Sequence, residues 1–231
     1  MTAPVLDPPV GLEPAPPPTG LFSDEPELES TVHLMQMIVL LTSLRWAWRG
    51  RQDYFAAGNL SVYFSTLQAR NKDFRGPDFF VVLGTSPRPR DAWVVWEEDG
   101  LTPDVIVEIL SPSTAENDRG EKRRVYERVL RTPEYVMFEP ATGTLEVLRH
   151  AEGHYHPVSP DAAGRYPSRQ LGLSFGVHEG MLRLFTADGA LVPTPEEAAT
   201  HEAARATQEA ERAERLAERL RALGQDPDRE P

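Results

Sequence analysis

The order of apolar and polar positions divides the chain into three stretches. Up to about residue 20 there is no periodicity, and seven prolines fall within the first 18 residues. Such a segment cannot bury enough apolar surface to offset its ordering entropy, which predicts a disordered leader over residues 1–20. Over residues 30–49 apolar positions including Val32, Met35, Val39 and Trp46 predict a helix, with Gly50 as its stop. Its apolar stretch, residues 35–44, is broken by Gln36, Thr42 and Ser43, too short and too polar for a bilayer span. After Asp53 the pattern changes to short runs of β-branched and aromatic residues, at 54–57, 60–64, 79–83, 93–96 and 105–110. Turn pairs such as Gly58-Asn59 and Gly76-Pro77 separate them.

A second helix is signalled by Asp118 three residues before Glu121, the spacing of a capping box, with no breaker from Gly120 until Pro133. Strands at 134–139 and 145–149 follow around a Thr142-Gly143 turn, and further runs at 155–158, 173–177 and 181–185 complete the domain. Helix, several strands, helix, several strands is an α+β (mixed α/β) order with a central sheet, not a regularly alternating parallel fold. Residues 195–223 differ again. Ala199, Ala203, Ala206, Ala210, Ala213, Ala217 and Leu220 mark a heptad seam. Alanines bury little, so the expectation is a long helix with weak self-association, or a solvated one laced by pairs such as Glu211–Arg215. The expected division is a leader over 1–20, a folded domain over 21–192 and a helical tail over 193–231.

Composition narrows the class. The chain of 231 residues is long enough for one domain with a real core. It has no cysteine, which excludes disulfides, thiolate metal sites and a thiol nucleophile. The N-terminus has no basic segment leading into an apolar one, so a soluble, cytoplasmic protein is expected. A net charge of −12 argues against nucleic acid at first sight. Its distribution alters that: residues 1–30 hold six acids and no base, and the tail from 195 holds ten acids against six arginines. The middle is nearly neutral and carries basic clusters at Arg45/Arg49/Arg51, Arg70/Lys72/Arg75, Arg88/Arg90 and Lys122/Arg123/Arg124/Arg128.

The chemistry concentrates in the run 102–114, whose centre, Val105-Ile106-Val107-Glu108-Ile109-Leu110, is an apolar strand with one carboxylate inside. Burying even a neutral polar group without a partner costs about 2–7 kcal/mol, so Glu108 requires a metal, a cation or a hydrogen-bond network. Asp104 and Glu108 share a strand face but stand about 13 Å apart, too far for one ion. Asp78, opening the strand at 79–83, either ends a Pro-Asp turn or joins Glu108 as an oxygen-ligand pair suited to Mg²⁺. Lys122, early in the following helix, is a candidate to orient a water or stabilise charge on a phosphate; solvent is the commoner fate of a single lysine. Glu29 and His33, four apart at the start of the first helix, are possible accessories. His150, His154 and His156 lack a carboxylate at ligand spacing and read as surface residues.

Asp78, the run Pro103-Asp104-Val105-Ile106-Val107-Glu108-Ile109-Leu110-Ser111-Pro112-Ser113-Thr114, Asp118, Lys122, Tyr126, Pro133-Glu134-Tyr135 and Pro140 together resemble the signature of the Uma-two restriction-endonuclease family. The resemblance spans roughly residues 21–192. It implies a PD-(D/E)xK nuclease core, a restriction-endonuclease-like sheet flanked by helices. It further implies Asp78 and Glu108 as ligands of Mg²⁺ or Mn²⁺, with the Ile109 carbonyl as a third. The superfamily places a lysine two residues after the glutamate; here that position is Leu110, and the resemblance suggests that Lys122 takes over its role.

Two functions of different classes follow. One is a Mg²⁺-dependent endonuclease acting on nucleic acid, DNA before RNA, as a homodimer and away from membranes. Asp78, Glu108 and Lys122 would be its catalytic residues, with Glu29, His33 and Asp104 accessory. The other is a catalytically inactive nuclease-fold module used in binding or assembly. Its support is the acidic charge, Leu110 and the alanine seam.

Overall fold

The computed structural model describes residues 18–23, 30–65, 76–112 and 114–223. Most of the expected leader, Glu29 and the Arg70/Lys72/Arg75 cluster lie outside the described residues.

Helix α1, Thr31–Ala47, starts where the Ser30 hydroxyl accepts the His33 amide at 3.2 Å. It ends as the chain turns through Gly50 at φ +93°, a conformation that favours glycine. Six strands form the central sheet: β1 (Tyr54–Gly58), β3 (Phe79–Leu83), β5 (Val105–Ile109), β6 (Glu134–Glu139), β7 (Thr144–Ala151) and β8 (His154–Pro157), side by side in that order. Only β5 and β6 run parallel. Parallel neighbours need a crossover, and helix α2, residues 115–130, supplies it. The sheet is mixed and the fold mixed α/β, as the order of apolar runs predicts.

Side-chain alternation sets the two faces of this sheet. Phe79, Val81, Val105, Val107, Val136 and Phe138 face α1 and a second sheet. That sheet is antiparallel, in the order β11 (Met181–Phe185), β10 (Ser174–His178), β9 (Tyr166–Pro167). On the opposite face Phe80, Val82, Ile106, Tyr135 and Met137 pack against Tyr126 and Leu130 of α2 and against Phe55 and Trp93. Glu108 is two residues beyond Ile106 and therefore projects to the α2 side.

Several elements differ from the sequence reading. The expected strands at 60–64 and 93–96 shrink to β2 (Val62–Tyr63) and β4 (Trp93–Val94), a parallel pair. The Trp93 indole donates to the Leu101 carbonyl at 2.9 Å, and the chain leaves β4 through a single 3₁₀ turn at Val95–Glu97. Strand β9 has no counterpart in the expected pattern. Helix α2 begins at Ala115 and not at the apparent capping box. The Ser111 carbonyl accepts both the Thr114 and Ala115 amides, while Asp118 already has helical φ and ψ of −65° and −44°. From Asp118 to Lys122 and from Tyr126 to Leu130 the helix widens to an i→i+5 winding.

The last helix, α3, is Pro195–Ala222, and Thr194 with Glu197 forms its capping box. Its first turn is tied to β11 by Arg183, which donates to both Glu197 oxygens at 2.9 and 2.6 Å. No residue of α3 is buried. Among the described residues no helix is long and apolar enough to cross a membrane.

Candidate active site

Three elements end at one point: the start of β3, the end of β5 and the first two turns of α2. Asp78 precedes β3, and because Phe79 pairs with Val107, it stands beside Glu108 on the neighbouring strand. The Asp78 amide points to Glu108 Oε2 at 3.4 Å, while Asp78 Oδ2 accepts the Ile109 amide at 2.6 Å. The other Asp78 oxygen lies 3.0 Å from Nε2 of His33, in the first turn of α1.

Glu108 is fully buried. The Lys122 ammonium stands 3.0 Å from its Oε2 and 3.0 Å from Asp118 Oδ1, and the Tyr126 hydroxyl donates to its Oε1 at 2.8 Å. Thus the buried carboxylate has the cation and network its strand context demands. Burial, reinforced by the Asp78 and Asp118 charges, pushes the Glu108 carboxyl well above the usual carboxylate range, although Lys122 and the Tyr126 hydroxyl oppose the shift. Burial likewise raises Asp118 against the pull of Lys122. For Lys122 burial acts downward, but the Glu108, Asp118 and Asp78 charges outweigh it and raise the ammonium above its ordinary value. Burial also raises the Tyr126 hydroxyl, which therefore remains a donor.

Asp78, Glu108, Lys122 and His33 are thus brought together. Asp104 is not among them: at the far end of β5 its Oδ2 accepts the Leu83 amide at 2.7 Å. Glu29 lies outside the described residues. Asp118 and Tyr126 are site residues that the chemical reading assigned no role. Their signal was present, since 118, 122 and 126 recur every four residues along one helix face. The histidines of the β7–β8 hairpin are elsewhere, His150 meeting the Glu127 carbonyl at 3.0 Å. The Arg88/Arg90 cluster is also committed, both guanidinium groups pairing with Glu98.

Among the described residues no three His, Asp or Glu side chains form a ready metal cage. The candidate donors are the carboxylates of Asp78 and Glu108, set side by side by the β3–β5 pairing, a type of pair that Mg²⁺ accepts when waters and a substrate phosphate complete its octahedron. The Ile109 carbonyl shares a strand edge with the amide that meets Asp78. Hard oxygen donors of this kind fit Mg²⁺ or Mn²⁺ and not a soft metal. Beside them opens a groove of about 300 Å³, lined by Val32, His33, Ile109, Leu110, Pro112 and Pro140 among others.

The family model Uma2, described as "Putative restriction endonuclease", matches residues 29–205. The chain belongs to the Uma2 family. No curated protein matches it. Among solved structures, this Uma2 chain is similar to one titled a putative nuclease belonging to DUF820 from Anabaena variabilis ATCC 29413. The two are 16% identical with a TM-score of 0.44, over 64% of this chain and 76% of that one.

Proposed function

We propose that this protein is a divalent-metal-dependent endonuclease that hydrolyses phosphodiester bonds in nucleic acid, with DNA as the first substrate to test. The observation that carries the reading is the Lys122 ammonium 3.0 Å from Glu108 Oε2, which the Asp78 amide also faces at 3.4 Å. Leu110 leaves the usual lysine position apolar, and Lys122 reaches the same carboxylate from the adjoining helix. Asp78 and Glu108 would hold the metal, Mg²⁺ or Mn²⁺, with the Ile109 carbonyl as a third oxygen; an ion held there would supply polarisation of the scissile phosphate and a lower pKa for an attacking water.

The chain's own residues do the rest. Lys122 orients the water and stabilises the negative charge that grows on the phosphate, in a site where burial strengthens the interaction. His33 holds the Asp78 carboxylate in place through its 3.0 Å contact, as groups behind metal ligands commonly do. The groove lined by His33 and Ile109, next to Asp78 in space and to Glu108 in sequence respectively, would take the substrate strand. One such site cuts one strand, so efficient duplex cleavage calls for two, and a C₂ homodimer is the commonest way to supply them.

Plasmid nicking by the purified protein with Mg²⁺, beside Asp78→Ala and Glu108→Ala, tests the reading. Metal-dependent nicking that both substitutions abolish supports it. Failure of the wild-type chain to bind metal or to nick any nucleic acid leaves the fold as a non-catalytic module.

A further inference from the structure

Helix α2 turns Asp118, Lys122 and Tyr126 toward the sheet face that carries Glu108, at four-residue intervals. An α-helix turns once per 3.6 residues, so four-residue steps drift around it in one direction. The wider i→i+5 winding at residues 118–122 and 126–130 drifts the other way, and alternating the two keeps the three side chains on one line. Tyr126 is fully buried, and its ring meets Tyr135 edge-on at 5.3 Å. The Tyr135 hydroxyl in turn donates to the Asp118 carbonyl at 3.0 Å, which pins the backbone at the start of the line.

We propose that Tyr126 and Asp118 are positioning residues of this site, Tyr126 for the Glu108 carboxylate and Asp118 for the Lys122 ammonium. The inference rests on the metal-dependent nuclease reading above. Glu108 Oε1 is tied to Tyr126, which fixes the carboxylate plane and leaves Oε2 to face Asp78 and Lys122. A divalent cation held by Asp78 and Glu108 would repel the ammonium beside it. Lys122 has a second anchor on its own helix, Asp118 Oδ1 at 3.0 Å. Asp118 would therefore keep Lys122 beside Glu108 with a metal bound.

The two roles separate in one experiment on the full chain. Mn²⁺ binding is measured by calorimetry on folded wild type, Tyr126→Phe, Asp118→Asn and Glu108→Ala, together with kcat and KM for plasmid nicking. Phenylalanine retains the ring packed on Tyr135 and removes only the hydroxyl. The expected result is a Mn²⁺ affinity about tenfold or more weaker in Tyr126→Phe, the usual scale for a group behind a ligand. Asp118→Asn is expected to keep Mn²⁺ affinity within about twofold while kcat falls about tenfold or more with KM unchanged. A purely structural Tyr126 would lower the melting temperature and leave Mn²⁺ affinity of the folded protein intact, which overturns the proposal. So does an Asp118→Asn variant that nicks like wild type, or one that loses metal as fully as Glu108→Ala. Wild type that binds no Mn²⁺ overturns the nuclease reading itself, and the inference with it.

Discussion

Lys122 reaches Glu108 at 3.0 Å from fourteen residues downstream. The strand-to-helix connection makes this possible: β5 ends at Ile109, the Ser111–Thr114 turn reverses the chain, and α2 returns over the face to which Glu108 points. The pair is almost wholly removed from water, so deleting the ammonium has two consequences. Lys122→Ala should reduce nicking by about 10² or more, the usual loss of an electrostatic stabiliser. It should also lower stability by about 3–5 kcal/mol, because a buried carboxylate loses its cation. Nicking rates and urea unfolding on the same preparation measure both. An alanine variant with wild-type turnover would remove Lys122 from the mechanism.

His33 carries a different prediction. Its ring is buried and its Nε2 lies 3.0 Å from Asp78 Oδ1, while Asp78 Oδ2 is held by the Ile109 amide. His33→Ala frees one side of that carboxylate. Mg²⁺ affinity should fall about 10- to 100-fold, with the fold unchanged by circular dichroism. Equal affinity in calorimetry would show that Asp78 is fixed by the Ile109 amide alone.

Gln36 provides a stability test away from the site. It is buried in α1, donating to the Leu182 carbonyl at 2.8 Å and accepting the Leu182 amide at 2.9 Å. Strand β11 is the edge of its sheet, and Gln36 satisfies the backbone pair that this edge would otherwise leave open. Gln36→Leu fills similar volume but orphans both groups, at about 1–3 kcal/mol each. For a chain of this size a melting temperature lower by roughly 5–15 °C follows. A leucine variant as stable as wild type would mean that water or a shift of β11 replaces the amide.

Gln36 also illustrates what the sequence conveyed. As one of three polar breaks in an apolar run it argued against a bilayer span, but a partner 146 residues away has no local signal. Strands were legible where burial is nearly continuous: β3 and β6 match their runs residue for residue, and β5 falls one short, at Ile109. The β2–β4 pair was blurred because two-residue pairing across thirty residues depends on tertiary contacts such as the Trp93 indole bond. The start of α2 was misplaced because Asp118 and Glu121 mimic a capping box. The Asp118 carboxylate in fact pairs with the Lys122 ammonium within the helix. The strand carboxylate at Glu108 and its expected cation were legible because burial of a charge is too costly to lack a partner. The charge clusters were less informative, since an isolated run does not disclose that Glu98 takes both Arg88 and Arg90.

That Glu98 network predicts a pH dependence. The Arg90 side chain is buried against the stacked rings of Phe55 and Trp93, its guanidinium carbon 4.7 and 4.8 Å from the two ring centres, and Glu98 neutralises it. The Arg90 hydrogen bond, joined by the Arg90 and Arg88 charges, holds the Glu98 carboxyl below its ordinary value despite partial burial. A folded-state value below the unfolded one makes the contribution to stability full above the ordinary glutamate range. It is lost as pH falls through the depressed value. Glu98→Gln should therefore cost about 1.5–3 kcal/mol at pH 7, the scale of a charged hydrogen bond. The gap from wild type should narrow as the solution is acidified below about pH 4. Urea unfolding at the two pH values measures it; a gap that stays constant would assign the cost to packing and not to the ion pair.

The tail supplies the last prediction. Among the described residues, helix α3 is anchored through its first turn, where Glu197 pairs with Arg183 and caps with Thr194. Beyond it the helix is exposed and sustained by its own pairs, Arg205 with Glu202 and Glu209, and Arg215 with Glu211. The alanine seam offers little apolar area at roughly 25 cal/mol per Å², too little to hold two copies together unaided. If the protein pairs as proposed above, the folded domain is expected to make the interface. Removing residues from 205 onward retains Glu197 and should leave both the sedimentation coefficient expected of a dimer and the nicking rate in place. A truncated chain that sediments as a monomer beside dimeric full-length protein would make α3 the dimerisation element. The weak seam would then have to be reinforced by contacts from Leu216 and Leu223, the large apolar side chains that α3 and its C-terminal cap leave in solvent.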